Sequence, residues 1–373
     1  MRILQLMGFP INEIIRFVDD NNEYHGHNLY GYLDFRKNKQ YSIKVIPDTI
    51  PAFWTKNILT RRIYTQFLVL KYLSKTDLIY SPHDIHIIIL AILKALHIIK
   101  VPILMVCHFS YNMKYVPSFK TRQIKKLERY LVYKYIEQIV FASENLLELA
   151  INDYPVPERH RKVVYWGGGA LKFFDKYKLN IKREPKLNYF ATMGRANRNY
   201  NILIDTFKNI NSSLKILAGN ISSSYNDVPR NVEFIDLSGK GLAGMCYLRE
   251  YYYDCIAVLL PIKQINDVPN GATVLVEALA MGKPIIVTDL DTNYINVEKE
   301  KVGLSVKGNT PEEWANAINY LLENPRAVKQ MSVNAYNLAK SKYNLECFEH
   351  NISEYFDKLN KNHLSRNEYN CQK

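Results

Sequence analysis

The chain has 373 residues, of which 47% are hydrophobic and 23% charged, with a formal net charge of +13. This is globular composition, it excludes long low-complexity disorder, and the length suggests two or three domains rather than one. The five cysteines (Cys107, Cys246, Cys255, Cys347 and Cys371) are odd in number and form no C-x-x-C pair, which argues against a disulfide framework or zinc site and for a reducing, cytoplasmic compartment.

The opening run MRILQLMGF is too short for a secretory leader and reads as a first strand, Arg2 to Met7, followed by a loop at Gly8 to Asn12 and a helix. Asp77 to Tyr80 reads as a further strand and ends at Ser81-Pro82-His83-Asp84. The apolar run Ile85 to Ile99 is shorter than the ~20 residues of a spanning helix and carries His86, Lys94 and His97, so a buried helix is expected. Val101 to Cys107 is a continuous apolar run ending at His108, as for a strand covered on both faces. Gln138 to Ala142 and Val163 to Tyr165 repeat the pattern. Strand alternating with helix predicts a parallel, doubly wound sheet.

From Tyr111 to Lys134 the basic residues are Lys114, Lys120, Arg122, Lys125, Lys126, Arg129 and Lys134, against one acid, Glu128. Ile124, Leu127 and Leu131 share a helical face within it. Two readings fit such a helix: a solvated helix packed through those three residues, or one that lies on an anionic membrane surface. No zinc-finger, RRM or helix-turn-helix signature supports a nucleic-acid partner.

The pattern lapses between Gly167 and Lys186, then resumes. Strands are expected at Leu187 to Met193, Leu214 to Ala218, Val232 to Ile235, Ile256 to Leu260 and Pro284 to Val287. Helices are expected at Thr273 to Met281, Pro311 to Leu322 and, in long pieces, Ala327 to Leu359. The implied domains are 1–169, a linker 170–186, 187–335, C-terminal helices 336–361 packing back on the first domain, and a disordered tail 362–373. Two such domains facing a central cleft would bind ligand at the C-terminal ends of their strands.

The segment 269–286, PNGATVLVEALAMGKPII, combines a loop at Pro269-Asn270-Gly271 with a helix that stops at Gly282. Free amides at Gly271, Ala272 and Thr273 make an anion site, and Gly271 permits close approach of a phosphate. Glu277 lies one turn on among apolar neighbours and requires a partner: either a vicinal diol such as a ribose, or a structural Lys or Arg. The turn Gly194-Arg195-Ala196-Asn197-Arg198 follows a strand directly and offers two guanidinium groups to a diphosphate. Asp289 and Asp291 follow a buried strand, the wrong setting for a metal-binding pair, and His83 with His86 lacks further zinc ligands.

These residues resemble the retaining glycosyltransferases of the GT-B fold, family 4 (glycosyl transferases group 1). Gly194-Arg195, Arg198 in place of the family's lysine, Glu277-Ala278, Gly282 and Pro284 carry the resemblance, with Val302-Gly303-Leu304 and the helix from Pro311 downstream. In the first half it extends to Cys107-His108, Ser143-Glu144 and the Gly168 region. The family's first carboxylate, eight residues before Glu277, is replaced here by Pro269, with Asp267 nearby. The resemblance implies an α/β chain of two Rossmann-like domains and a nucleotide-diphosphate sugar donor held by Gly194, Asn270, Gly271, Ala272, Thr273 and Glu277. Catalytic roles fall to His108, Arg195, Arg198 and Glu277. No metal or other cofactor is implied. Acceptor contacts are expected at Gly8, Phe9, His83 and Asp84. The resulting expectation is transfer of a sugar to a glycan or lipid-linked glycan acceptor for a surface polysaccharide, at the cytoplasmic face of a membrane. A nucleotide-sugar epimerase of the same fold and a non-catalytic sugar-nucleotide-binding protein are the rival readings.

Overall fold

The structure, a computed structural model, describes residues 1–51, 58–83, 87–108, 118–169, 171–179, 181–263 and 271–371. It divides into two compact units: Met1–Asp19, Leu29–Tyr165 and Phe348–Lys373 form one, and Asp20–Asn28 and Trp166–Cys347 the other. The unit boundary falls just before the glycines 167–169. The short segment 20–28, from the first half of the chain, belongs to the second unit.

Unit one is built on a parallel sheet of β1 (Arg2–Leu6), β2 (Ser42–Ile46), β3 (Leu78–Ser81), β4 (Ile103–Cys107) and β5 (Gln138–Phe141), in the order β2-β1-β3-β4-β5. All five residues of β4 are buried, which matches the unbroken apolar run read from the sequence. β2 was not anticipated. It is an edge strand whose first three residues are not buried, so its apolar signal is short. Val163 to Tyr165, expected as a strand, makes one isolated bridge from Val163 to Phe141.

The helix Ile88–Ala95 buries Leu90, Ala91, Leu93 and Lys94. The Lys94 ammonium is accommodated by the Val101 carbonyl and the Glu137 carboxylate. The basic helix is Phe119–Tyr135, capped by the Ser118 side chain on the Thr121 amide. Its buried residues are Arg129, Val132 and Tyr133, and of the apolar residues singled out above only Leu131 is half-buried. Ile124 and Leu127 point to solvent, 58% and 59% exposed, with Phe119 at 77%. The reading in which Ile124 and Leu127 pack on the core is therefore corrected: the helix turns its other side inward and lies against the helix Ile88–Ala95.

Unit two carries β6 (Tyr189–Met193), β7 (Ser213–Leu217), β8 (Val232–Ile235), β9 (Val258–Leu260), β10 (Ile285–Thr288) and β11 (Gly303–Val306), all parallel, in the order β11-β10-β9-β6-β7-β8. β6 starts two residues later than predicted because Leu187 has a positive φ of 48°, outside strand geometry. β11 is an edge strand that runs so close to β10 that a Cβ on Gly303 would strike the Ile285 carbonyl. Phe190, Leu203, Phe207, Trp314 and Ile318 form the centre of one core between sheet and helices. The helix Pro311–Glu323 opens with a Thr310/Glu313 capping box and Pro311 in its first turn.

The helices Pro325–Ser341 and Leu345–Cys371 close the chain. The second runs through most of the residues expected as a disordered tail from 362. Among the described residues, no helix is long and apolar enough to cross a membrane.

Candidate active site

In unit two the chain leaves β6 toward β7 on one side, while β9 lies on the other. Ligands of open α/β sheets bind outside the strand ends at such a reversal. A cavity of about 370 Å³ lies there. Met193, Gly194 and Arg195 enter it from the end of β6, Leu217 and Gly219 from β7, and Ile235, Leu237 and Ser238 from β8. Met245 and Leu248 of the helix Gly244–Asp254 extend the apolar wall. Thr273, Val274 and Glu277 come from the helix Ala272–Ala280, and His25, His27 and Asn28 from the short N-terminal segment.

Gly271 caps that helix with φ 83°, a left-handed conformation natural to glycine, and no side chain caps its first amides. Behind it lies Arg198, 7% exposed. Its Nε donates to the Met193 carbonyl at 3.2 Å and its Nη1 to the Ala196 carbonyl at 2.9 Å. A Cβ on Gly194 would come 3.2 Å from Nη2 and one on Gly271 3.3 Å, so both glycines make room for this guanidinium. Burial lowers the Arg198 pKa from its usual value. Arg195 is exposed at the cavity rim, and its Nε donates to the Ala218 carbonyl at 2.6 Å. Gly219 (φ 73°) is required by that posture, because a Cβ would overlap the Arg195 guanidinium. The two arginines are thus not equivalent: Arg195 lines the cavity, and Arg198 supports the turn and helix start from behind.

Glu277 is 2% exposed. Its Oε2 accepts a 2.8 Å hydrogen bond from Tyr252, and its Oε1 has no hydrogen-bond partner. No Lys or Arg pairs with it among the described residues, so the structural ion pair weighed from the sequence is not what meets this carboxylate. Burial raises its pKa to about 8, against the opposing pull of the Tyr252 hydrogen bond. The glycine run faces the same helix, with a Cβ on Gly169 reaching 3.3 Å from the Glu277 Cα and one on Gly168 2.8 Å from Val276.

Tyr252, His25, His27 and Gly219 were not read as site residues. Tyr252 is the middle of three consecutive tyrosines, 251–253, a run that carries no catalytic or binding pattern of its own. The one available signal was the demand of a buried Glu277 for a partner, which does not say which residue answers it.

In unit one, His108 follows β4 and forms a cluster with His83, after β3, and Tyr30. Tyr30 hydrogen-bonds the His83 Nε2. The His83 and His108 rings lie 4.8 Å apart, so His83 is packed against His108 rather than displayed alone on a loop. Burial, then the neighbouring His83, holds the His108 pKa well below the usual histidine value, and burial lowers that of His83 to about 4. Both rings are neutral at pH 7. Gly8 and the exposed Phe9 follow the end of β1. Asn270 and Asp84, named above as donor and acceptor contacts, lie outside the described residues, as do Asp267, Pro269 and His86. Among the described residues, no three His, Cys, Asp or Glu side chains gather as a metal site.

Residues 242–338 match the family model described as glycosyl transferases group 1. The matched stretch contains Tyr252, Gly271 and Glu277. Among solved structures, the chain is similar to sucrose-phosphate synthase from Thermosynechococcus elongatus, at 14% identity and a TM-score of 0.66 over 96% of this chain and 99% of that one. It is similar to Anabaena HepE in complex with UDP, at 16% identity and a TM-score of 0.64 over 96% of this chain and 100% of that one. A UDP-N-acetylglucosamine 2-epimerase follows with 11% identity and a TM-score of 0.54, each chain covered to 90%. A search of curated protein sequences found no match.

These likenesses define the fold as GT-B in class, two Rossmann-like α/β units. Within unit two, the segment 242–338 is similar to the glycosyl transferases group 1.

Proposed function

We propose that this chain transfers a sugar, with retention at the anomeric carbon, from a nucleotide-diphosphate sugar to a glycan or lipid-linked glycan acceptor of a surface polysaccharide. The observation that carries the donor assignment is the composition of one cavity. An apolar slot (Leu217, Ile235, Leu237, Met245, Leu248) suits a base, a buried carboxyl oxygen without a partner suits a ribose hydroxyl, and Arg195 beside a helix start suits a diphosphate. That HepE is described in complex with UDP adds to it.

In the reaction proposed, the bond from the anomeric carbon to the β-phosphate oxygen breaks, and negative charge gathers on the departing diphosphate. Arg195 and the first-turn amides of the 272–280 helix stabilise that charge, while Arg198 holds the turn and helix start in place. The acceptor oxygen bonds to the anomeric carbon and its proton leaves toward the departing phosphate. His108 is assigned to the donor sugar on the resemblance of its strand, as a neutral hydrogen-bonding group. The scheme assigns no step to a metal, so transfer is expected to continue in EDTA.

The basic helix is proposed to rest on an anionic membrane. By helical spacing, Phe119, Leu127 and Tyr130 share a face with Arg122, Lys126 and Lys134. Apolar side chains exposed among cations suit a lipid–water interface.

A screen of nucleotide sugars for hydrolysis and for transfer tests the reading. Nucleoside diphosphate released faster with acceptor present supports transfer. A new epimer formed without acceptor would establish the epimerase instead, and donor binding without turnover of any donor would leave a binding protein.

A further inference from the structure

The segment 20–28 leaves the first half of the chain to pack in unit two, and it delivers two histidines to the cavity. His27 is 7% exposed and its Nδ1 has no hydrogen-bond partner. That nitrogen lies 3.9 Å from Glu277 Oε1, itself unpartnered. The separation is too long for a direct hydrogen bond. It is what remains when one hydroxyl oxygen sits at about 2.8 Å from both atoms. Two buried polar atoms orphaned side by side, both lining one cavity, mark the place of a group that donates and accepts at once.

The His27 ring is held in that position. The His25 ring stacks on it with centroids 3.5 Å apart at 24°, and the Trp166 ring meets it edge-on at 6.4 Å. The His27 backbone N–H donates to His25 Nδ1 at 3.2 Å, which tightens the turn between them. Phe173 closes against His25 from the far side. A ring clamped on two sides has little rotamer freedom left to lose on binding.

We propose that His27 is a second ribose-recognising residue, whose Nδ1–H donates to a ribose hydroxyl that in turn donates to Glu277 Oε1, so that the pair selects ribonucleotides over their deoxy forms. The inference rests on the donor assignment above and adds to it the residue that completes the diol site. Burial depresses the pKa of both histidines, His25 to about 3, so His27 acts as a neutral donor and leaves the carboxyl group without an ion-pair partner. Losing the hydroxyl would strand both buried groups, which is why such a site discriminates strongly.

The test is calorimetric binding of UDP, 2′-deoxy-UDP and 3′-deoxy-UDP, with GDP or ADP and their deoxy analogues substituted if UDP does not bind. In the wild type, loss of one of the two hydroxyls is expected to weaken binding tenfold or more. In His27→Ala the same loss should cost less than threefold, while His27→Asn, which keeps an N–H near the Nδ1 position, should retain most of the discrimination. If His27→Ala does not fold, His27→Leu fills the space without a hydrogen-bonding atom and carries the same expectation. Equal weakening of all three nucleotides by the apolar variant, or a wild type indifferent to both hydroxyls, overturns the role of His27 and leaves the donor assignment standing. Failure of every nucleoside diphosphate to bind the wild type overturns the donor assignment, and this inference with it.

Discussion

Replacing Glu277 by Gln should make the ligand-free protein more stable, and increasingly so as pH rises. Burial lifts the carboxyl pKa from 4.5 to about 8. The folded state therefore holds this proton more tightly than the unfolded chain does. The stability so gained is complete below pH 4.5 and is lost as pH rises toward 8. At about 1.4 kcal/mol per pH unit, the loss reaches about 4 kcal/mol by pH 8. Glutamine keeps the volume and can still accept the Tyr252 hydrogen bond, but it does not titrate. His25, His27, Tyr252 and Arg198, the other titratable or charged groups around it, are the same in both proteins and cancel in the difference. Scanning calorimetry of wild type and Glu277→Gln from pH 5 to 8 reads the effect. The two should unfold together near pH 5 and separate steadily, the variant ending higher by about 8–16 °C if a unit of this size shifts by 2–4 °C per kcal/mol. A gap independent of pH, or a wild type that gains on the variant as pH rises, would refute the account of Glu277 as a carboxyl group strained by burial.

The same linkage predicts that donor affinity in the wild type strengthens with rising pH up to about 8, by at most tenfold per unit, because ribose hydroxyls stabilise the carboxylate. Titration with a nucleotide sugar, whose diphosphate does not itself change charge in this range, should show that slope in wild type and a flat profile in Glu277→Gln. Gly219→Ala should force Arg195 off the Ala218 carbonyl and weaken nucleoside diphosphate binding tenfold or more, with the parent nucleoside affected far less. Comparing the two ligands by calorimetry checks it, and equal losses would point to a collapsed cavity instead. Changing Phe119 and Leu127 together to Asp should abolish flotation with anionic liposomes at low salt at little cost in thermal stability, since both side chains are exposed. Undiminished flotation would remove this helix from the membrane reading.

Much of unit two was legible because its chemistry is local. A strand, a glycine and an arginine in succession place Arg195 just past the end of a strand, and a glycine before an apolar helix places a helix start, whatever the rest of the chain does. The partners of Glu277 were not legible. Tyr252 stands 25 residues away and His27 250 away, and nothing in the residues around either indicates that it will meet a carboxylate. The basic helix shows a related gap. Its periodicity offered Ile124 and Leu127 as a packing face, but the fold buries Arg129, Val132 and Tyr133 instead, a choice that depends on which surfaces were already filled.

The sequence by itself determined the alternation of strand and helix, the parallel sheets and the helix start at Gly271, because periodicity, backbone preference and dipole direction act over a few residues. Only the tertiary structure decided that Arg195 lines the cavity while Arg198 lies behind it, and that Glu277 meets a tyrosine and a histidine rather than a lysine or arginine. Those outcomes depend on burial and on contacts between distant segments, and burial is a property of the packed chain as a whole.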